Sequence, residues 1–301
     1  MSLVTVITFY KIFKIEDVYK FSRSIERIAI KEKLLGTFFV TPEGINTTLA
    51  GKKENLVTFL DLLIDEHNLN DIKVKWTSTS NTPFKRLKIR IKSNLLPLEG
   101  NFDLLKKRGK HVSPEDWNDL IKDPNTILLD VRNIYETKLG SFKGSIDPKI
   151  DTFIDFPEFI GRLDRLKPKN IAMFCTGGIR CEVASSLMLY KGYNNIFQLE
   201  GGILNYLERV GKKDHLWEGE CFVFDERVSV NANLEPGNYI QCFGCRRPLS
   251  QKDIELESYV KGVSCLYCIN ITSNKDKLRF KERQKQIDLA KERGITHLGN
   301  Q

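Results

Sequence analysis

No stretch of this 301-residue sequence approaches the roughly 18 uninterrupted apolar residues of a membrane span. The opening "MSLVTVITFYKIFKIEDVYKF" lacks the basic start and small-residue cleavage site of an export signal, and Lys11, Lys14 and Glu16 break its apolar run. A cytoplasmic protein with no membrane partner is therefore expected. The sequence shows no internal repeat, no low-complexity run and no glycine-rich nucleotide fingerprint. Its four histidines, His67, His111, His215 and His297, form no His-x-Asp/Glu pair of the kind that seeds a non-haem iron site. No redox cofactor is identifiable. The seven cysteines are odd in number and accompany no export signal, so reduced thiols, catalytic or metal-bound, are expected rather than a disulfide framework.

What is present is an excess of positive charge, 47 Lys and Arg against 39 Asp and Glu. Either a polyanionic partner or a generally basic soluble protein accounts for it. At this length and 41% hydrophobic content, two or three cores are expected. Residues 1–95 alternate strand and helix periodicities as β-α-β-β-α-β with one strand extra, which predicts a ferredoxin-like, acylphosphatase-like α+β domain. Periodicity fades over 96–112, around Pro97, Gly100 and Gly109, and a linker is expected there. Residues 113–213 open on "SPEDWNDLI", with Ser113 as helix cap, and continue as alternating strands and helices. That alternation predicts an α/β domain on a parallel sheet, its ligands beyond the carboxyl ends of the strands. Residues 214–301 form a small, irregular, Cys-rich lobe with a basic helical tail.

The segment "NIAMFCTGGIRCEVASSLML" runs from an apolar strand through Cys175 into a helix. A thiolate is favoured where backbone amides and a helix N-terminus face it. Gly177 and Gly178 let the loop curl into an anion cradle, with Thr176 and Ile179 adding backbone amides and Arg180 closing it with fixed charge. Cys-x4-Arg is one residue shorter than the loop with which tyrosine phosphatases hold a phosphoryl group, and a tighter cradle suits a single sulfur. Together with the strand-end Asp130-Val131-Arg132 and the Glu200-Gly201-Gly202 turn, this loop resembles that of rhodanese domains, whose cysteine carries a persulfide. Ser141 stands where rhodaneses commonly have His, at a position expected in a turn.

The N-terminal α+β domain, "CTGGIRCE", "GECFVFDERV" and the paired cysteines near the end extend the resemblance over nearly the full chain, to the tRNA uridine hydroxylase (TrhO) family of rhodanese-domain proteins. The resemblance implies oxygen-dependent hydroxylation of the wobble uridine to 5-hydroxyuridine, with tRNA and dioxygen as partners and no obligate protein partner. It implies that Cys175 is catalytic, with Arg180 beside it. A sulfurtransferase passing sulfane sulfur from Cys175 is the competing activity. Cys181 is a resolving thiol or a small packing residue, and Asp130 and Arg132 brace the loop. Cys242, Cys245, Cys265 and Cys268 form two Cys-x2-Cys knuckles separated by nineteen residues, a spacing that suits a structural zinc, with four reduced thiols or an adventitious disulfide as the alternative. Arg86, Lys88, Arg90 and Lys92, on alternate strand positions, and Arg246 and Arg247, between the knuckles, are candidate RNA contacts. The first set reads equally as a charged edge strand.

Overall fold

The computed structural model describes residues 4–79, 83–98, 102–211 and 214–294. Its first compact unit spans Met1–Glu218 and its second Gly219–Gln301. The first unit begins with β1 (Val4–Ile12), α1 (Val18–Lys31), β2 (Leu35–Thr41), β3 (Gly44–Gly51), α2 (Lys53–His67), β4 (Lys75–Thr79) and β5 (Leu87–Ile91). Asp17 starts α1 by accepting a hydrogen bond from the Lys20 amide at 2.8 Å. Phe21, Ile25, Ile28 and Ala29 of α1 and Leu56, Phe59, Leu60 and Leu63 of α2 recur at helical spacing and are buried. They pack with Ile7, Phe9, Phe38, Val40, Ile45 and Leu49 of the strands. The sheet order is β4-β1-β3-β2-β5, with β2 and β5 parallel and the other pairs antiparallel. This is the acylphosphatase-like sandwich, helices on one face, with β5 at an edge.

Next come β6 (Lys110–Val112), α3 (Pro114–Lys122), β7 (Thr126–Asp130), α4 (Ile134–Thr137), β8 (Gly140–Phe142), α5 (Phe156–Gly161), β9 (Asn170–Phe174), α6 (Ile179–Tyr190), β10 (Ile196–Leu199) and α7 (Gly202–Arg209). Four of these strands form a parallel sheet in the order β6-β10-β9-β7. Ser113 caps α3 as expected, accepting from the Asp116 amide. Asp130 and Phe174 lie in register, so Cys175 leaves the sheet beside the end of β7.

The expected linker at 96–112 is corrected by packing. Leu98 and Leu104 enter the core beneath the parallel sheet, β6 joins that sheet, and the Gly109 amide donates to Ser185 Oγ at 2.9 Å. Pro97, Gly100 and Gly109 interrupt the periodicity of this segment, yet each of those leucines is buried. The unit boundary falls after Glu218 rather than at 214, because Trp217 is buried against the rings of Phe142 and Phe174.

The second unit has two short strand pairs, Cys221–Phe222 with Ser229–Val230 and Ile240–Gln241 with Pro248–Leu249, followed by α8 (Gln251–Ile254) and α9 (Asn274–Glu292). Cys221 is a buried packing residue. Among the described residues no helix is long and apolar enough to cross a membrane.

Candidate active site

β9 ends at Phe174 and α6 begins at Ile179, so Cys175 stands at the mouth of the helix. The turn between them requires Gly178 at φ +101, a left-handed value that a side chain would strain, and this aims the Gly178 amide at Cys175 Sγ, 3.1 Å away. The Glu200-Gly201-Gly202 turn backs the loop. The Ile203 amide donates to the Cys175 carbonyl at 2.9 Å and the Leu204 amide to the Thr176 carbonyl at 3.2 Å. A Cβ on Gly202 would lie 2.4 Å from the Cys175 carbonyl oxygen, so no larger residue fits there.

Cys175 is only 1% exposed. Burial by itself pushes its thiol up. A hydrogen bond from the Cys181 thiol, the Arg180 charge and the amides of Cys181 and Gly178 outweigh that and bring it down to about 6. Cys181, buried and donating to its neighbour, is pushed well above its ordinary value. The amides of Gly178 and Cys181 face the sulfur. Because the thiolate is the nucleophile, alkylation of Cys175 by iodoacetamide should rise with pH through a midpoint near 6 and be flat by pH 7. Trypsin separates the two cysteines by cutting after Arg180, so peptide mass spectrometry reads each one. A Cys175 midpoint at the ordinary 8 to 9 would overturn this electrostatic account.

Arg180 is not a free charge. Its guanidinium forms a two-pronged pair with Glu136 at 2.5 and 2.6 Å, both side chains buried. Glu136 also accepts from the Asn133 amide at 3.2 Å, closing a capping box on α4, and from Thr176 Oγ1 at 3.4 Å. Thr176 thus contributes its side chain. Asp130 and Arg132 bind one another, Nη2 to Oδ2 at 2.6 Å. Arg132 also donates to the Gly140 carbonyl at 2.7 Å and lies over the Trp217 ring. They brace the 132–140 segment that carries Glu136, and so support the cysteine loop at one remove. Ser141 lies in β8, not in a turn, and donates to Asp130 Oδ2 at 2.7 Å.

A second buried carboxylate adjoins the loop. Glu182, one residue past Cys181, accepts from Tyr10 Oη at 3.0 Å and from Gln198 Nε2 at 3.3 Å, and it pairs with His111 at 2.8 Å and Arg108 at 3.7 Å. Burial opposes its ionisation, but His111 and Arg108 outweigh burial and hold it below the usual carboxylate range. Tyr10 comes from β1. Burial, with the charges of Glu182 and Cys175, keeps its phenol protonated. Glu136, Glu182 and Tyr10 gave no functional signal in the sequence, although Glu182 stands inside the quoted "CTGGIRCE".

The UPF0176 acylphosphatase-like domain matches residues 4–95 and the rhodanese-like domain matches residues 113–209. The chain therefore joins an acylphosphatase-like domain of the UPF0176 type to a rhodanese-like domain. Among solved structures, a rhodanese-related protein from Thermoplasma volcanium is 29% identical, with 33% of this chain and 91% of that one covered and a TM-score of 0.28. An acylphosphatase from Bacillus subtilis is 16% identical over 29% of this chain and 98% of its own, with a TM-score of 0.23.

Beyond these two domains, the structure gathers the four paired cysteines. Sγ atoms of Cys242, Cys245, Cys265 and Cys268 lie within 4.8 Å of one another, and none forms a disulfide. The separations Cys242–Cys268, Cys245–Cys265 and Cys265–Cys268 are 3.9, 3.7 and 3.8 Å. Between the knuckles, Arg246 stacks on Phe243 and Arg247 on Tyr267, each 5.3 Å from the ring centroid. In the UPF0176 domain Arg86, Arg90 and Lys92 are exposed and Lys88 is half-buried, on and flanking the edge strand β5.

Proposed function

We propose that this chain is a tRNA-modifying enzyme that hydroxylates the wobble uridine to 5-hydroxyuridine, with one atom of dioxygen entering the base, the other leaving as water with two electrons and two protons from an external reductant, and Cys175 as the essential thiol. The observation that carries the reading is the Cys175 thiol brought down to about 6 inside a six-residue amide cradle, in a chain that pairs this domain with the UPF0176 domain. At neutral pH Cys175 is a thiolate, and Gly178, Cys181 and Arg180 stabilise negative charge on whatever the sulfur carries. Glu136 fixes Arg180, and Cys181 supplies a neutral S–H donor beside the reacting sulfur.

A second reading, sulfur transfer from a Cys175 persulfide, is favoured by the same cradle, which fits one terminal sulfur. Nucleoside mass spectrometry of tRNA from cells lacking the chain tests both. Disappearance of 5-hydroxyuridine and nucleosides built on it supports hydroxylation, and disappearance of a thiolated nucleoside alone supports sulfur transfer.

The four cysteines of the second unit are proposed to hold a structural zinc. Tetrahedral Zn–S bonds of about 2.3 Å require sulfurs about 3.8 Å apart; three of the six separations, at 3.7 to 3.9 Å, match, and all four sulfurs lie within 4.8 Å of one another. The surrounding core is small, essentially these cysteines with Leu249 and a few half-buried side chains, so the metal would contribute much of the lobe's stability. The purified chain should carry one zinc by elemental analysis, and a strong chelator should expose sites in the second unit to protease while sparing the first. Zinc-free protein with an unchanged cleavage pattern would remove this assignment.

A further inference from the structure

The strand register places one row of side chains across the N-terminal sheet, on the face opposite α1 and α2. Tyr10 pairs with Asn46, Asn46 with Phe39, and Phe39 with Arg90. The adjacent row on the same face runs through Thr8, Thr48 and Thr37, with Lys75 at one edge and Lys88 at the other. Neither row contains a carboxylate. The helix-covered face at the same level reads Phe9, Thr47, Phe38, Ile89, which is core. Beyond β5, Lys92 brings its ammonium 4.6 Å from the centre of the half-buried Phe39 ring.

The row ends at the cysteine loop. Tyr10 Oη bonds Glu182, and it sits so close that a Cβ added to Gly178 would lie 2.9 Å from it. Over Gly177 an added Cβ meets nothing within 4 Å among the described residues. The loop is thus walled by Tyr10 on one side and open over Gly177 on the other. Three strand spacings separate Tyr10 from Arg90, about 14 Å.

We propose that this face is a track for single-stranded RNA leading to Cys175, with Arg90 and Lys92 neutralising phosphates, Phe39 stacking a base, and Tyr10 marking the end where the target nucleotide turns toward the thiol. A flat sheet face carrying an aromatic, amides, hydroxyls and cations suits unpaired bases, whereas a duplex hides its base edges in grooves. Charge complementarity and continuity with the loop select this occupant. The proposal rests on the RNA-modifying reading of the same site and adds where the RNA lies.

The test is fluorescence anisotropy of the full chain with a short labelled oligouridine across a salt series. Replacing both Arg90→Gln and Lys92→Gln should weaken binding about tenfold and flatten the salt slope by about 1.4, since each lost phosphate contact on a single strand removes about 0.7. Phe39→Leu, which keeps an apolar side chain, should weaken binding about tenfold with the slope unchanged, the signature of lost stacking. Arg23→Gln with Lys31→Gln, an equal charge change on the helix side, should alter affinity less than twofold. Equal losses from that control pair, an unaffected Phe39→Leu, or equal affinity for a short RNA duplex would each overturn the track. Binding through this face in a chain that leaves uridine unmodified in cells would overturn the function proposed above and not the surface.

Discussion

Cells in which Cys175→Ser replaces the wild-type chain are expected to contain no 5-hydroxyuridine-derived nucleosides above the level of the deletion, a loss of about a thousandfold or more in turnover. The physical reason is specific to the sulfur. Burial penalises any charge at this position, and it is the polarisable thiolate that Gly178, Cys181 and Arg180 bring down to about 6. A serine hydroxyl in the same cradle stays protonated at neutral pH and offers neither the charge nor the redox chemistry of sulfur. The variant should remain folded, because the hydroxyl accepts the Gly178 amide where Sγ did. Full nucleoside levels with Cys175→Ser would show that the thiol is dispensable and would end the thiol-dependent reading.

Replacing Glu136 should strongly destabilise the rhodanese-like domain. Its side chain is fully buried and that of Arg180 is 8% exposed, so Glu136→Ala strands a guanidinium without its counter-charge. Breaking a buried pair from one side costs about 3–5 kcal/mol. For a unit of this size the melting temperature should fall by about 10 °C. Glu136→Gln keeps the shape and one acceptor and should cost less. In that variant the Arg180 charge is no longer neutralised, so the Cys175 thiolate gains stabilisation and the midpoint of its alkylation should move below its wild-type value. A melting temperature within two degrees of wild type for Glu136→Ala, or a Cys175 midpoint that rises in Glu136→Gln, would show that the pair neither holds the loop nor tunes it.

The features that mark Cys175 are local and therefore readable. An apolar run, a cysteine, two glycines and an arginine specify strand, tight turn and helix start within a dozen residues. The two Cys-x2-Cys knuckles are local in the same way, and so is the strand-helix alternation that predicts the two folds of the first unit. The segment at 96–112 resisted reading because Pro97, Gly100 and Gly109 interrupt its period, and only the neighbouring sheet reveals what its buried leucines pack against. Ser141 resisted for a related reason, since nothing near it in the chain indicates that its hydroxyl faces Asp130.

By itself, the sequence determined where a thiol meets a glycine turn and a helix start, and which four cysteines share a cluster. The tertiary structure alone decided what faces that thiol. Glu136 meets Arg180 from 44 positions away, and Tyr10 meets Glu182 from 172. Such pairs form because sheet order and burial bring charges together where leaving either one alone in a low-dielectric interior would be costly, and no spacing rule along the chain encodes which partners will meet.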